Sequence, residues 1–317
     1  MADRRHLVRV AITVVAGLAL LLGWHTFWFM TDDAFIAFRY ISNSMLGHGW
    51  VWNAAPFRAV DGYTSPAWIG LLEVIWRAFG VEPPRAANIV ALAFAYGQLA
   101  VTTAMLWRVR LPAHLERVRP WLVVLALAGV LGNRTFLAWT SSGLETSMFD
   151  FEILLWMWIA IWRRVDSPRW LIELIAVAVL TALTRPDGLL FAAATTVLFA
   201  IGLRELDARW RRRTIVAGVV GALVLGVYLL WHYRMYGAPL PNTFYAKVAR
   251  AWPNAGWRYF ASFVLEYALL WWIVVMVLVA RARLPRLLAR RPSAAMLVGQ
   301  LKVLYPTVQG VFALSSQ

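Results

Sequence analysis

Cysteine is absent from this sequence, so disulfides, thiolate metal sites and thiol nucleophiles are all excluded, and any chemistry must rest on carboxylates, histidines or hydroxyls. Acidic residues are scarce, 16 against 31 basic ones, and only two of the basic residues, Lys247 and Lys302, are lysines. Also missing is the polar fraction of a soluble domain: 61% of the 317 residues are hydrophobic and the mean hydropathy is +0.63. The composition is that of an integral membrane protein. Apolar stretches near the ~20 residues a helix needs to cross the hydrocarbon recur along the chain, so it spans a bilayer several times.

The first of these, Leu7 to Phe29, follows the basic start "MADRRHLVRV". It is too long for the apolar core of a secretory signal and lacks a small-x-small cleavage site, and reads as an uncleaved signal anchor.

A net charge of +15 invites a nucleic-acid reading, but the positions of the arginines argue otherwise. Five clusters fall between candidate spans: Arg4, Arg5 and Arg9; Arg108, Arg110, Arg117 and Arg119; Arg163, Arg164 and Arg169; Arg204, Arg209, Arg211, Arg212 and Arg213; and Arg281, Arg283, Arg286, Arg290 and Arg291. They hold 20 of the 31 basic residues. The charge is topological, marking cytoplasmic segments, and no nucleic-acid-binding motif accompanies it.

With all five clusters cytoplasmic, the N-terminus lies inside and the spans between clusters come in pairs. A long outer loop, about residues 30–85, then carries two helical stretches that are not spans. "DAFIAFRYISNSML" is amphipathic, with Phe35, Phe38, Ile41 and Leu46 near one face, and suits the membrane interface; "SPAWIGLLEVIWRAFG" is short and holds Glu73 and Arg77, as an interfacial or re-entrant segment would. Seven more spans follow, within 86–107, 121–139, 146–162, 170–183, 189–203, 214–233 and 259–280. The expected fold is an all-α, polytopic helical bundle of about eight transmembrane helices, residues 1–291, with an irregular tail at 292–317.

This topology sends the polar motifs to one membrane face: "TDDAF" (Asp32, Asp33), "VDGYTSP" (Asp61, Tyr63), "SSGLETSMFD" (Glu145, Asp150), "TRPDG" (Arg185, Asp187) and "YGAPLPNTFYAKVAR" (Asn242, Tyr245, Lys247). Ionisable groups near hydrocarbon are costly unless solvated or paired, so the gathering points to a polar cavity at the outer leaflet. Each motif also has a structural reading. Thr31 or Asp32 can cap the helix that follows, with Asp33 in its first turn. Ser142 and Glu145 have the spacing of a capping box, and capping is their expected role. "TRPDG" is a turn between two short helices, where unpaired Arg and Asp would be expensive, which favours function. "GAPLPN" fits a rigid extended loop, and His48 and His232 fit solvated interfacial positions.

Asp32 and Arg39 are seven residues apart and share a helical face, so the arginine can hold one carboxylate charged while repulsion raises the pKa of the other. That pair suits a general base acting on a sugar hydroxyl, with Arg39, Arg185 and Lys247 holding a departing phosphate.

The uncleaved first helix, followed in order by "DDAFIAFRY", "GHGWVWN", "VDGYTSPAW", "SSGLETSMF", "LTRPDGLLF" and "PLPNTFYAK", resembles the integral-membrane glycosyltransferases of the GT-C class. Within that class it is most similar to the arabinofuranosyltransferases of the actinobacterial cell envelope, over about residues 7–280. The resemblance implies a polyprenyl-phosphate sugar donor, decaprenyl-phosphoryl arabinofuranose in those relatives, and a glycan acceptor, arabinogalactan or lipoarabinomannan, outside the plasma membrane. It implies catalytic acidic residues in the first outer loop, mapping onto Asp32 and Asp33; Asp32 is the favoured base because it lies closest to the end of the first span. Asp61, Tyr63, Glu145, Asp187, Asn242 and Tyr245 are the expected substrate contacts, and Mg or Mn a possible metal. Such relatives are about twice as long, with further helices and a soluble extracytoplasmic domain. The chain is thus expected to be a truncated or frame-altered product, an inactive remnant being the alternative alongside a polytopic lipid or sugar transporter.

Overall fold

The computed structural model describes residues 2–111, 113–163, 167–238, 241–242, 245, 253–266, 269–271, 273–274 and 277, with side chains from His6 onward. Among the described residues every regular element is helical. The helices are α1 (Ala2–Thr26), α2 (Asp32–Met45), α3 (Pro66–Phe79), α4 (Pro83–Arg108), α5 (Ala113–Glu116), α6 (Arg119–Leu131), α7 (Arg134–Trp139), α8 (Thr146–Trp162), α9 (Trp170–Thr184), α10 (Leu189–Gly202), α11 (Ala208–Tyr236) and α12 (Pro253–Glu266). Prolines open α3, α4 and α6, where the missing N–H has no partner to lose. Among the described residues four segments, His6–Thr26, Pro83–Arg108, Pro186–Glu205 and Ala208–Tyr236, are long and apolar enough to cross a membrane. This is an all-α membrane protein.

The core is a row of neighbours: α4 lies against α8, α8 against α9, and α9 against both α10 and α11, while α1 leans on α4 and α6. Ala87, Ala91 and Ala95 recur every four residues on α4 and are buried, so backbones approach closely where no hydrophobic force distinguishes protein from lipid. Trp156, Trp170, Leu171 and Leu174 fill the space between α8, α9 and α10. By contrast α11 exposes Ile215, Val219, Leu223, Val227 and Leu230, the surface a lipid-facing helix presents.

The two ends of the bundle differ chemically. At one, Arg9 lies 4.8 Å over the Trp107 ring, Arg119 donates to the Leu106 and Trp107 carbonyls at 3.2 and 2.9 Å, and Arg108 lies 4.4 Å over Trp158. Arg163 pairs with Glu173 there at 2.7 Å. Described members of the first three arginine clusters therefore converge. The opposite end joins the "TDDAF" and "SSGLE" motifs: Thr31 N–H donates to the Ser142 carbonyl at 3.0 Å, and Trp68 Nε1 to the Gly143 carbonyl at 3.1 Å.

Three local expectations are corrected. The stretch 121–139 is not one helix: it breaks at Gly132, and Asn133 caps α7 by accepting from Phe136 N–H at 3.1 Å. On α2, Phe38 and Ile41 are buried but Phe35 and Leu46 are exposed; the buried face is Ala34, Ala37, Phe38, Tyr40 and Ile41, because α2 rests on α3 and α4 rather than floating at the interface. No capping box forms either. Glu145 itself occupies the N-cap position of α8, and the Ser142 hydroxyl accepts from Leu144 N–H and donates to the Trp139 carbonyl. The expected tail at 292–317 and parts of the last expected span lie outside the described residues.

Candidate functional site

Two cavities adjoin at the end of the bundle that carries the acidic pair. One is a polar cleft of about 640 Å³ with Asp32, Arg39, Asn43, Trp52, Trp76 and Glu82 in its lining. The other is an apolar groove of about 780 Å³ bounded by Leu223, Val224 and Val227 of α11 and Leu183 of α9, with Trp50, Tyr228 and Trp231 among its aromatics. Ser42 and Asn43 line the cleft and Ser44 the groove; Trp52 lines the cleft and Trp50 the groove. The last turn of α2 and the chain just beyond it are therefore a wall shared by the two.

Asp32 and Asp33 form the first turn of α2 and are exposed, at the positive end of the helix dipole. Thr31 is the N-cap residue, but its hydroxyl donates to Asp32 Oδ1 at 3.2 Å instead of capping the backbone; Asp33 N–H donates to the same oxygen at 3.0 Å. Beneath them the "SSGLE" loop presses on α2. Gly143 has φ +84°, and a Cβ there would lie 2.9 Å from that of Ala34, so both conformation and space demand glycine.

The expected ion pair between Asp32 and Arg39 is not formed. Arg39 lines the same cleft but donates to the Trp52 carbonyl at 2.7 Å and to Asn53 Oδ1 at 3.0 Å, with its guanidinium 4.7 Å over the Trp52 ring. The loop carbonyl needs a donor, and the arginine serves it while staying within the cleft.

The wall rests on a polar network. Asn43 donates to the Val51 and Trp52 carbonyls. Glu73 accepts from Trp50 Nε1 at 2.6 Å, from Ser44 at 2.8 Å and from Arg77. Partial burial alone would raise its pKa, but those donors outweigh it and hold the carboxyl below its ordinary range. Deeper, Asp61 Oδ2 lies 2.7 Å from His232 Nε2, both nearly inaccessible, and Asp61 Oδ1 accepts from Tyr63 N–H at 3.2 Å. Burial pushes the Asp61 carboxyl up, against the pull of those two hydrogen bonds. Tyr40, pushed up to about 12 by burial, donates to the Val60 carbonyl and accepts from Gly62 N–H. Tyr236 donates to the Trp50 carbonyl at 2.5 Å. The segment 60–63 is thus clamped between α2 and α11.

Arg185 extends from the end of α9 to Glu145 Oε1 at 2.9 Å and Asp187 Oδ2 at 3.3 Å. Glu145 is buried and Asp187 exposed, so Arg185 reaches from the interior to the surface with its charge already matched. The structure thus unites Glu145, Arg185 and Asp187 in one group, Asp32 and Arg39 in the cleft, and Asp61 with Tyr63 under the wall. Asn242 and Tyr245 are exposed, and Lys247 lies outside the described residues. Among the described residues no group of three or more histidines and carboxylates gathers as a metal ion's ligands would.

Sequence reasoning missed His232, which is buried and paired rather than solvated; His48 is exposed as expected. It also missed Trp52, Trp76 and Glu82 in the cleft. Nothing local in sequence pairs residue 61 with 232, although a histidine one turn before the end of a lipid-facing helix was a usable signal.

The chain is 30% identical over 305 residues to a terminal beta-(1->2)-arabinofuranosyltransferase of Mycobacterium tuberculosis and 28% identical over 298 residues to a protein of that name from Corynebacterium glutamicum. The matches cover 90% and 86% of this chain but 46% and 40% of theirs, so the chain spans less than half the length of these relatives. No family model and no solved structure matches it.

Proposed function

We propose that this chain is the membrane module of a glycosyltransferase that moves arabinofuranose from a polyprenyl-phosphate donor to a cell-envelope glycan on the extracytoplasmic face. The observation that carries this reading is the pair of adjoining cavities, polar and apolar, with a carboxylate in the polar one, in a chain similar to arabinofuranosyltransferases over 90% of its length. The apolar groove, walled by α11 and ending at Trp50, Tyr228 and Trp231, suits an isoprenoid chain whose phosphate emerges at the aromatic rim. The cleft suits the polar reactant.

Asp32 acts as the general base. As the acceptor hydroxyl attacks the anomeric carbon, its proton passes to the Asp32 carboxylate and the bond to phosphate breaks, the electron pair leaving with the polyprenyl phosphate. Asp33 stands beside it in the same helical turn. Arg39, Arg185 and Lys247 are the cations assigned to the growing phosphate charge, Arg185 having first to loosen its hold on Asp187 at 3.3 Å. Glu145 and Asp187 keep that arginine in place. Asp61 and Tyr63 support the wall from below, and Asn242 and Tyr245 are assigned to substrate from the loop after α11.

The test is transfer of labelled arabinofuranose from a polyprenyl-phosphate donor to an arabinan oligosaccharide by the chain in nanodiscs. Asp32→Asn is expected to lower the rate by about 100-fold or more, with Asp33→Asn less severe. Transfer that survives both substitutions would sink the assignment of the base. Absence of transfer by the unmutated chain would favour a remnant or a transporter.

A further inference from the structure

The cleft beside Asp32 holds features that the catalytic reading does not use. Trp52 is immobilised: its carbonyl accepts from both Arg39 Nε at 2.7 Å and Asn43 Nδ2 at 3.0 Å, and the Arg39 guanidinium covers one ring face at 4.7 Å. Trp76 enters the lining from α3, a helix tied to the wall by Glu73 through Trp50, Ser44 and Arg77. Glu82, exposed at the start of α4, adds a second carboxylate to the lining besides Asp32.

Rigid indoles with carboxylate, amide and guanidinium groups around them match one kind of ligand closely. A sugar ring presents a face of polarised C–H bonds, which settles on an aromatic ring, and a rim of hydroxyls, which donate to carboxylates and accept from Arg and Asn. A lipid tail would leave these polar groups unpaired, and the neighbouring groove offers it a better home. A ligand carrying several phosphates would meet two carboxylates against one arginine.

We propose that Trp52 and Trp76 form the aromatic walls of a subsite for the acceptor glycan, with the Glu82 carboxylate and Asn43 Oδ1 accepting from its hydroxyls. The inference rests on the glycosyltransferase reading above and deepens it. The acceptor residue lies against the tryptophans with its attacking hydroxyl at Asp32, and the donor's anomeric carbon approaches across the wall formed by the end of α2. Each hydroxyl proton transferred to Asp32 is matched by one sugar–phosphate bond broken, so no further reactant is needed.

Trp76→Leu keeps apolar bulk in a half-buried position and removes the flat ring; Trp76→Phe restores a smaller ring. In the transfer assay Trp76→Leu is expected to raise the KM for the arabinan oligosaccharide about tenfold while leaving the KM for the lipid donor unchanged, and Trp76→Phe to recover most of the loss. Trp257→Leu, on the exposed surface of α12, should change neither constant. An unchanged oligosaccharide KM, or a change confined to the lipid donor, overturns the subsite. Saturation-transfer NMR of the oligosaccharide over the chain in nanodiscs separates this proposal from its parent. Transfer to sugar C–H protons that disappears in Trp76→Leu supports the subsite even if no product forms; no transfer over the unmutated chain overturns it.

Discussion

Asp61 and His232 are 171 residues apart in sequence and 2.7 Å apart in space, and each is almost wholly removed from solvent. Removing one partner strands the other. His232→Ala is expected to destabilise the fold by about 1–3 kcal/mol, the usual consequence of leaving a buried polar group without its partner, and adding Asp61→Asn should recover part of it. Thermal unfolding in detergent of the two single variants and the double variant measures that coupling; strict additivity would mean that the pair carries no interaction. The pH dependence follows from burial, which raises the Asp61 pKa in the folded protein above its ordinary 3.8. Through Asp61 alone, the folded state is favoured most below that ordinary value, and the contribution is lost as pH rises through the raised one. Asp61→Asn should therefore flatten the decline in stability on the alkaline side of pH ~4.

At the scale of elements, the turn from α9 into α10 has the least room of any glycine position described. A Cβ on Gly188 would lie 2.1 Å from the Thr181 carbonyl oxygen, although φ at this residue is an ordinary −60°. Gly188→Ala is therefore predicted to act by overpacking, lowering stability by about 1–3 kcal/mol and loosening Arg185 from Glu145; a melting temperature equal to that of the unmutated chain would contradict this. One turn away, Thr184 donates to Glu152 at 2.9 Å, joining α9 to α8 inside the bundle. Such joints explain what could be read in the sequence. The apolar helices and the end where arginines gather were legible because lipid imposes apolarity on each helix locally. The break at Gly132 and Asn133 was masked by apolar runs on both sides, despite two residues that favour interruption. Arg39 and His232 took unexpected partners because those depend on where the loop through Trp52 and Asp61 turns, which no local pattern records. The "TRPDG" turn was read correctly because its proline, glycine and flanking apolar runs are all local.

For the whole molecule, the decisive question is which side of the membrane the cleft faces. Contacts place Arg9, Arg108, Arg119 and Arg163 together at the end of the bundle away from Asp32, from which the positive-inside rule predicts a cleft that faces outward. The absence of cysteine makes this directly measurable, because single cysteines can be placed in an otherwise unaltered chain. Phe57, 68% exposed in the loop after α2, reports the cleft side, while Arg117 before α6 and Arg212 at the start of α11 report the arginine side. In intact cells a membrane-impermeant maleimide is expected to label Phe57→Cys and to spare Arg117→Cys and Arg212→Cys until the membrane is opened. The last two also test the count of crossings. Between them lie α6 with α7, then α8, α9 and α10, and four crossings return the chain to the side it left. If the broken segment of α6 and α7 fails to span, Arg117 and Arg212 will label from opposite sides. Labelling of Arg117→Cys and Arg212→Cys in intact cells, with Phe57→Cys spared, would place the carboxylates inside and remove an extracytoplasmic glycan from their reach.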